Sequence, residues 1–294
     1  MRIIPGGGQT TEGHVKNIAE MKPTVLISTP SYALRIAEEA QKMGFDMPNS
    51  TIKYTYHAGE PGPCSIEAIR MQLDEAYGAI SGELLGVAEL DAIAPGCPNR
   101  KGVHMNEMNN YSWTMDPSTG KELMDGEVGE NIITTYVNNA QPLINYRTHD
   151  LVRSYSHQNH CGCSCTWRYL DGVVLGRSDY MITVKATNVY PSAVENIVLQ
   201  VPGTTNYFHL VLTRDAAGLD QMEVIFEPKQ DIPESDWGKI AGQIQENVKD
   251  KIGLRMKVVA SEPNSLPRSD SGKMKRVIDK RPKEFRRELD RSQN

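Results

Sequence analysis

Long apolar runs are missing from this chain of 294 residues, and that absence bounds the answer first. No stretch approaches the roughly 20 apolar residues a membrane-spanning helix needs, and the opening "MRIIPGGGQTTEGH" lacks the apolar segment of a secretory signal. The expected compartment is therefore the cytoplasm, with no membrane partner. A basic excess is missing too. The formal net charge is −5, and the lysines and arginines are scattered rather than striped, which argues against nucleic acid as a partner. Cysteine is scarce and odd in number: five residues, three of them packed into "HCGCSCTW". Such spacing does not fit a secreted disulfide framework, and close thiols in a reducing compartment more often hold a metal.

What is present is ordinary for a soluble globular protein, with 39% hydrophobic and 23% charged residues and enough length for one large domain or two of usual size. "TVLISTP" reads as a short strand ended by proline, and "SYALRIAEEAQKMGF" as an amphipathic helix stopped near a glycine. "TIKYTYHAGEPGP" followed by "CSIEAIRMQLDEAYGA" repeats the strand-loop-helix order. Alternation of this kind predicts an α/β fold with a mostly parallel sheet. From Val103 to Tyr155 the texture turns β-rich, with "NIITTYV" the clearest strand, and predicts a small sheet or barrel packed on the first part. A second, smaller α+β block begins near Asp179: a helix in "PSAVENIVLQVPG", two strands across a glycine turn in "NYFHLVLTRDAAGLDQMEVIFEP", a helix in "SDWGKIAGQIQENVKDKIG" and a strand in "RMKVVASEP". The charged tail "DKRPKEFRRELDRSQN" reads as a solvated final helix. No internal repeat is visible.

The thiols suggest one grouping. Cys97 lies seven residues before His104, and Cys161 and Cys163 form a Cys-x-Cys pair downstream. Three cysteines and a histidine suit a closed, tetrahedral structural Zn²⁺ site. Cys165 and His160 stand by as substitute ligands, and free thiols on a loop are the plainer alternative. Cys64, at a helix start, reads as a packing or capping residue.

Seven segments then fall in a fixed order: "HAGEPGP" (57–63), "GVAEL" (86–90), "DGEVGENIITT" (125–135), "YRTHDL" (146–151), "GRSDYMI" (176–182), "NVYPSAVE" (188–195) and "PRSDSGKMKR" (267–276). Together they resemble the adenylate-forming, AMP-binding enzymes, and among these the phenylacetate-coenzyme A ligase family. The resemblance implies an adenylate-forming enzyme fold: a large AMP-binding domain, here residues 1–178 and lacking its N-terminal part, with mixed sheets, and a mobile α+β C-terminal domain, residues 179–294. It implies an acid-thiol ligase that activates phenylacetate or a similar aryl carboxylate with ATP as an acyl-adenylate and transfers the acyl group to coenzyme A, with Mg²⁺ on the triphosphate.

Site residues follow by the same resemblance. Gly59, Glu60 and Pro61 would lie against adenine at the C-terminal end of a strand, where open α/β sheets bind ligands. Asp150 would accept hydrogen bonds from the ribose diol, which a carboxylate does well. Arg177 is the nucleotide-side arginine, Glu89 the magnesium ligand and Asp179 the hinge. Lys273, after a Ser-Gly turn, is the cation that a mobile loop brings to the departing pyrophosphate. Relatives carry "CxCGRTW" ahead of "GR", which aligns with Cys161 and Cys163.

The chain also departs from the family's pattern. Leu85 replaces an aromatic residue, Ala88 a hydroxyl-bearing one, His149 the glycine before Asp150, Tyr180 a second aspartate and Ala186 a glycine that admits the pantetheine arm. The Ser/Thr/Gly-rich phosphate loop normally precedes the segment with which this chain starts, and "PGGGQTTEGH" sits where relatives have a later loop. The expected partners are therefore a small carboxylate together with either a second copy of the chain or the N-terminal part in trans. A different class of function is also implied: a catalytically silent, nucleotide-binding or zinc-stabilised interaction module.

Overall fold

A computed structural model describes residues 2–156, 161–178, 182–184, 187–215, 218–267 and 276–282. The first sheet is built as the alternation predicts. Strands β1 (Val25–Ser28), β2 (Tyr54–His57) and β3 (Ile80–Val87) run parallel, and β4 (Asp91–Pro95) closes the order β1-β2-β3-β4 antiparallel to β3. The crossovers are α2 (Pro30–Lys42) and α3 (Glu67–Tyr77), and α1 (Thr11–Met21) packs on α2.

Local chemistry sets these boundaries. Thr29 caps α2 by accepting from the Tyr32 amide at 3.4 Å, and Pro30 at the first helical position has no amide to leave unpaired. Helix α3 ends at Gly78, whose φ of +57° a side chain would resist. Its last residue, Tyr77, is fully buried and donates its hydroxyl to the Ala33 carbonyl at 2.7 Å, which locks α3 to α2. The opposite sheet face is apolar and open: Val25, Ile27, Tyr54 and Ile80 are 45–78% exposed.

The second sheet is antiparallel, with order β5-β9-β8-β7-β6 from β5 (Gly102–His104), β6 (Asn110–Met115), β7 (Val128–Thr135), β8 (Tyr146–Tyr155) and β9 (Tyr169–Arg177). It is an open sheet with β5 and β6 as edges, so of the sheet or barrel expected here the sheet is what forms. A separate core of Cys64, Leu85, Ile93, Val103, Ile133, Val152 and Leu170 joins it to β3 and β4.

The C-terminal part begins with the ribbon β10 (Ile182–Val184) and β11 (Thr187–Val189), then α4 (Pro191–Leu199). Its four-stranded sheet has order β14-β13-β12-β15, from β12 (Thr204–Arg214), β13 (Asp220–Pro228), β14 (Lys257–Ala260) and β15 (Val277–Asp279), with α5 (Glu234–Ile252) beside it. Helix α5 follows the macrodipole rule, acidic at Glu234 and Asp236 and basic at Lys249 and Lys251, and stops at Gly253. Residues 283–294, where the sequence predicts a final helix, lie outside the described residues.

The largest apolar cluster runs from the helices α1 to α3 into the C-terminal part, from Val15 and Leu73 to Phe208 and Val277. Polar contacts cross the same boundary: Asn206 donates to Gln72 at 2.8 Å and Tyr207 to Glu38 at 3.4 Å.

Candidate active site

The loop after β2 is fixed from two sides. Gly59 takes φ +86°, a value glycine allows without strain, and this turns the chain so that Glu60 reaches the N-terminus of α2. There the Ser31 amide and hydroxyl donate to the Glu60 carboxylate at 3.2 and 2.6 Å. On the other side lies Glu83, 3% exposed on β3. It accepts from the amides of Gly62, Cys64 and Ser65 at 3.0, 2.8 and 2.9 Å and from the Ser65 hydroxyl at 2.8 Å. Burial pushes its carboxyl up to about 7, against the pull of these four donors. Cys64 packs into the second core, as a packing residue should.

The second element of the site comes from strand register. Asp150 on β8 and Arg177 on β9 are paired residues, and Arg177 Nη1 donates to Asp150 Oδ1 at 3.1 Å. Asp150 is buried to 7% exposure, and its amide is held by the Thr148 hydroxyl at 3.1 Å. Tyr146 stands beside them. Burial raises its hydroxyl above the usual phenol range, and the negative charge of Glu89 raises it further. Asp150 and Arg177 act on the same hydroxyl in opposite directions. Glu89, exposed in the turn between β3 and β4, thus shares with Asp150 and Arg177 an electrostatic influence on one tyrosine.

Beneath them lies Glu130 on β7, whose side chain is fully buried. Arg147 forks onto it at 2.9 and 2.6 Å, and Ser178 donates at 3.1 Å. Burial would raise this carboxyl, yet the hydrogen bonds from Arg147 and Ser178 hold it below the usual range. His149 sits at φ +62° with its ring 3.3 Å from both Glu130 and Ser178. A glycine would adopt that backbone without cost, so these contacts offset the strain.

The structure thus makes two groups from the predicted residues, the 59–61 loop and the set Glu89, Asp150 and Arg177, and β3 links them by carrying Glu83 under one and leading to Glu89 at the other. Leu85, at the position of the expected aromatic, is buried in the second core, and Ala88 is exposed. Asp179, Tyr180, Ala186 and Lys273 lie outside the described residues. The segment after Lys273 is anchored at Arg276, whose Nε meets Glu195 at 3.0 Å and whose guanidinium lies 4.3 Å from the centre of the Phe208 ring. Burial raises the Glu195 carboxyl, Arg276 pulls it down and the Glu60 charge adds to the rise.

A third group lies apart. Ligand atoms of Cys97, His104, Cys161 and Cys163 all fall within 4.8 Å of one another. Cys161 and Cys163 sulfurs are 3.1 Å apart, and His104 Nε2 is 3.5 and 3.2 Å from them. Nδ1 of His104 lies 3.2 Å from the Trp167 carbonyl, which turns Nε2 toward the thiols. Three sulfurs and one such nitrogen fit a tetrahedral zinc donor set. Amides of Cys163 and Cys165 donate to the sulfurs of Cys161 and Cys163 at 3.5 and 3.4 Å, contacts that suit thiolates. Cys165 is not part of the four-residue group, and His160 lies outside the described residues.

Sequence reading missed Glu83, Glu130 and Tyr146. The first left a signal: in "ISGELLGV" it occupies an inward position of a strand between Ser81 and Leu85.

Comparisons with known proteins converge on this arrangement. The AMP-binding enzyme C-terminal domain family matches residues 186–281. The phenylacetate-coenzyme A ligase of Thermus thermophilus is 33% identical over 301 residues, covering 96% of this chain and 66% of that protein. This chain belongs to the phenylacetate-coenzyme A ligase family of adenylate-forming enzymes. A 2-hydroxyisobutyryl-CoA ligase, solved in the postadenylation state with R3-HIB-AMP, superposes with a TM-score of 0.81 at 27% identity, over 95% of this chain and 58% of that one. The same ligase in the thioesterification state, with 2-HIB-AMP and CoA, gives only 0.55. The arrangement described here is therefore closer to the first state than to the second. The chain spans less than two thirds of the length of these family members.

Proposed function

We propose that this chain takes part in ATP-dependent activation of phenylacetate or a similar aryl carboxylate as an acyl-adenylate, with transfer to coenzyme A, in the cytoplasm. The observation that carries this is Asp150 paired with Arg177, with Glu89 and Tyr146 in the same electrostatic group, together with a 59–61 loop held by Glu60 on Ser31 and by buried Glu83 on the amides of Gly62, Cys64 and Ser65. Asp150 would accept the ribose hydroxyls, with Arg177 holding it in place at 3.1 Å. Gly59, Glu60 and Pro61 would bound the adenine. Glu89 would hold Mg²⁺, which takes oxygen ligands and neutralises triphosphate charge. Lys273 would steady the pyrophosphate as it leaves, a role worth on the order of 10²-fold or more in rate.

Residues 1–178 and 179–294 would be two domains articulated at Asp179. The contrast in TM-score between two states of one ligase supports such a motion. Cys97, His104, Cys161 and Cys163 would hold a structural zinc that ties the loop after β4 to the segment before β9 and takes no part in the chemistry. Completion of the site would come from a second copy or from an N-terminal part in trans. One observation favours the silent-module reading: Ala88 offers no hydroxyl to phosphate.

Pyrophosphate release with phenylacetate, ATP and Mg²⁺, with and without coenzyme A, separates the readings. It should be run on the chain alone and with the N-terminal part of a family member added. Release that Lys273→Ala abolishes supports the ligase. No release under either condition leaves the silent module standing.

A further inference from the structure

Glu83 has no role in the chemistry outlined above, yet it is among the most heavily bonded carboxylates in the described structure. It lies on β3 behind the loop, not in front of it. Four donors converge on its two oxygens within 3.0 Å, three of them amides from one short segment, Gly62 to Ser65. Two glycines make the approach tight. A side chain at Gly62 would meet the Glu83 carboxyl carbon at 3.0 Å, and one at Gly96 would strike the Glu83 backbone oxygen at 2.7 Å. Because all peptides here are trans, an amide at Gly62 turned toward Glu83 directs the Pro61 carbonyl to the opposite side. The carboxylate thus sets which way the peptide groups beside Gly59, Glu60 and Pro61 point. A neutral amide could not copy this, since its NH₂ end would face other N–H donors.

We propose that Glu83 is a positioning residue for nucleotide binding, which as a carboxylate fixes the Gly62–Ser65 backbone and through it the surface offered to a purine. This rests on the reading of 59–61 as the nucleotide loop.

The test is titration calorimetry of the chain with AMP at pH 8.5 and 25 °C, where the Glu83 carboxyl is ionised, paired with amide hydrogen exchange. Glu83→Gln should weaken AMP binding at least tenfold and speed exchange at Gly62, Cys64 and Ser65 more than elsewhere. Ser65→Ala, which removes only the hydroxyl bond, should weaken AMP about threefold and serves if Glu83→Gln does not fold. Val248→Ala, a cavity in α5 that touches none of the Glu83 hydrogen bonds, should lower the melting temperature and leave the AMP affinity within twofold. Wild-type affinity in both loop variants, or unchanged exchange at the three amides, overturns the proposal while leaving the nucleotide reading intact. A wild-type chain that binds no AMP removes that reading and this inference together.

Discussion

Replacing Glu130 by Gln removes the charge at the best-buried ionic hub of the site and leaves the shape almost unchanged. Two guanidinium bonds of 2.6 and 2.9 Å and the Ser178 hydroxyl bond at 3.1 Å lose their ionised acceptor. Removing one partner of a fully buried pair costs about 3–5 kcal/mol. Here Glu130 is fully buried but Arg147 is 48% exposed, so water can take over part of its donors. About 2 kcal/mol is the reasonable expectation after that discount. For a chain of this size it corresponds to a fall of roughly 3–6 °C in apparent Tm, read by circular dichroism. Glu67→Gln is the control, because that glutamate is 73% exposed in its pair with Arg70 and should change Tm by less than about 1 °C. The pH dependence has a definite sign. Glu130 is held below the usual carboxylate range in the fold, so its contribution is present above the unfolded value near 4.3 and is lost as pH falls through the folded value. The gap between wild type and Glu130→Gln should therefore close under acid. A fall of less than 1 °C at pH 7, or a gap that persists undiminished in acid, would refute the reasoning.

Other expectations follow from single observations. His57 is buried, with Nδ1 at 3.2 Å from the Ser28 carbonyl and Nε2 at 2.9 Å from the Thr55 hydroxyl, and burial lowers its pKa to about 4. Its contribution is present above pH 6.5 and drains away as pH falls toward 4, so His57→Gln should flatten the loss of Tm over that window, at the cost of a lower Tm at pH 7. Gly78→Ala would place a Cβ 2.4 Å from the Pro48 carbonyl at φ +57°, whereas Gly44→Ala at φ +70° meets nothing within 4 Å. The first should cost clearly more, about 2–4 kcal/mol against about 1, in a urea titration. Plasma emission analysis of the purified protein should find one zinc per chain, lost in His104→Ala and retained in Cys165→Ser.

Much of this molecule can be read along the chain, and the unreadable part has a common cause. Strand β1 and helix α2 are legible because Thr29 and Pro30 mark the boundary chemically. The Cys-x-Cys pair and its distant Cys97 and His104 are legible because few residue types bind zinc. Strand β15 and the ribbon of β10 and β11 are not, since three residues give no period to recognise. Tyr146, Glu83 and Glu130 act through register between strands or across a loop, and sequence order carries no record of which residues will face one another. Glu60 shows the limit of resemblance: it lies in the expected loop, but its carboxylate also holds Ser31 at the start of α2.

The central claim is that Asp150 receives the sugar of a nucleotide beside Arg177. A crystal structure of the chain grown with AMP tests it most directly. The account expects both ribose hydroxyls on the Asp150 carboxylate, with the base against Gly59, Glu60 and Pro61. AMP bound elsewhere, with Asp150 touching no part of the sugar, would contradict it.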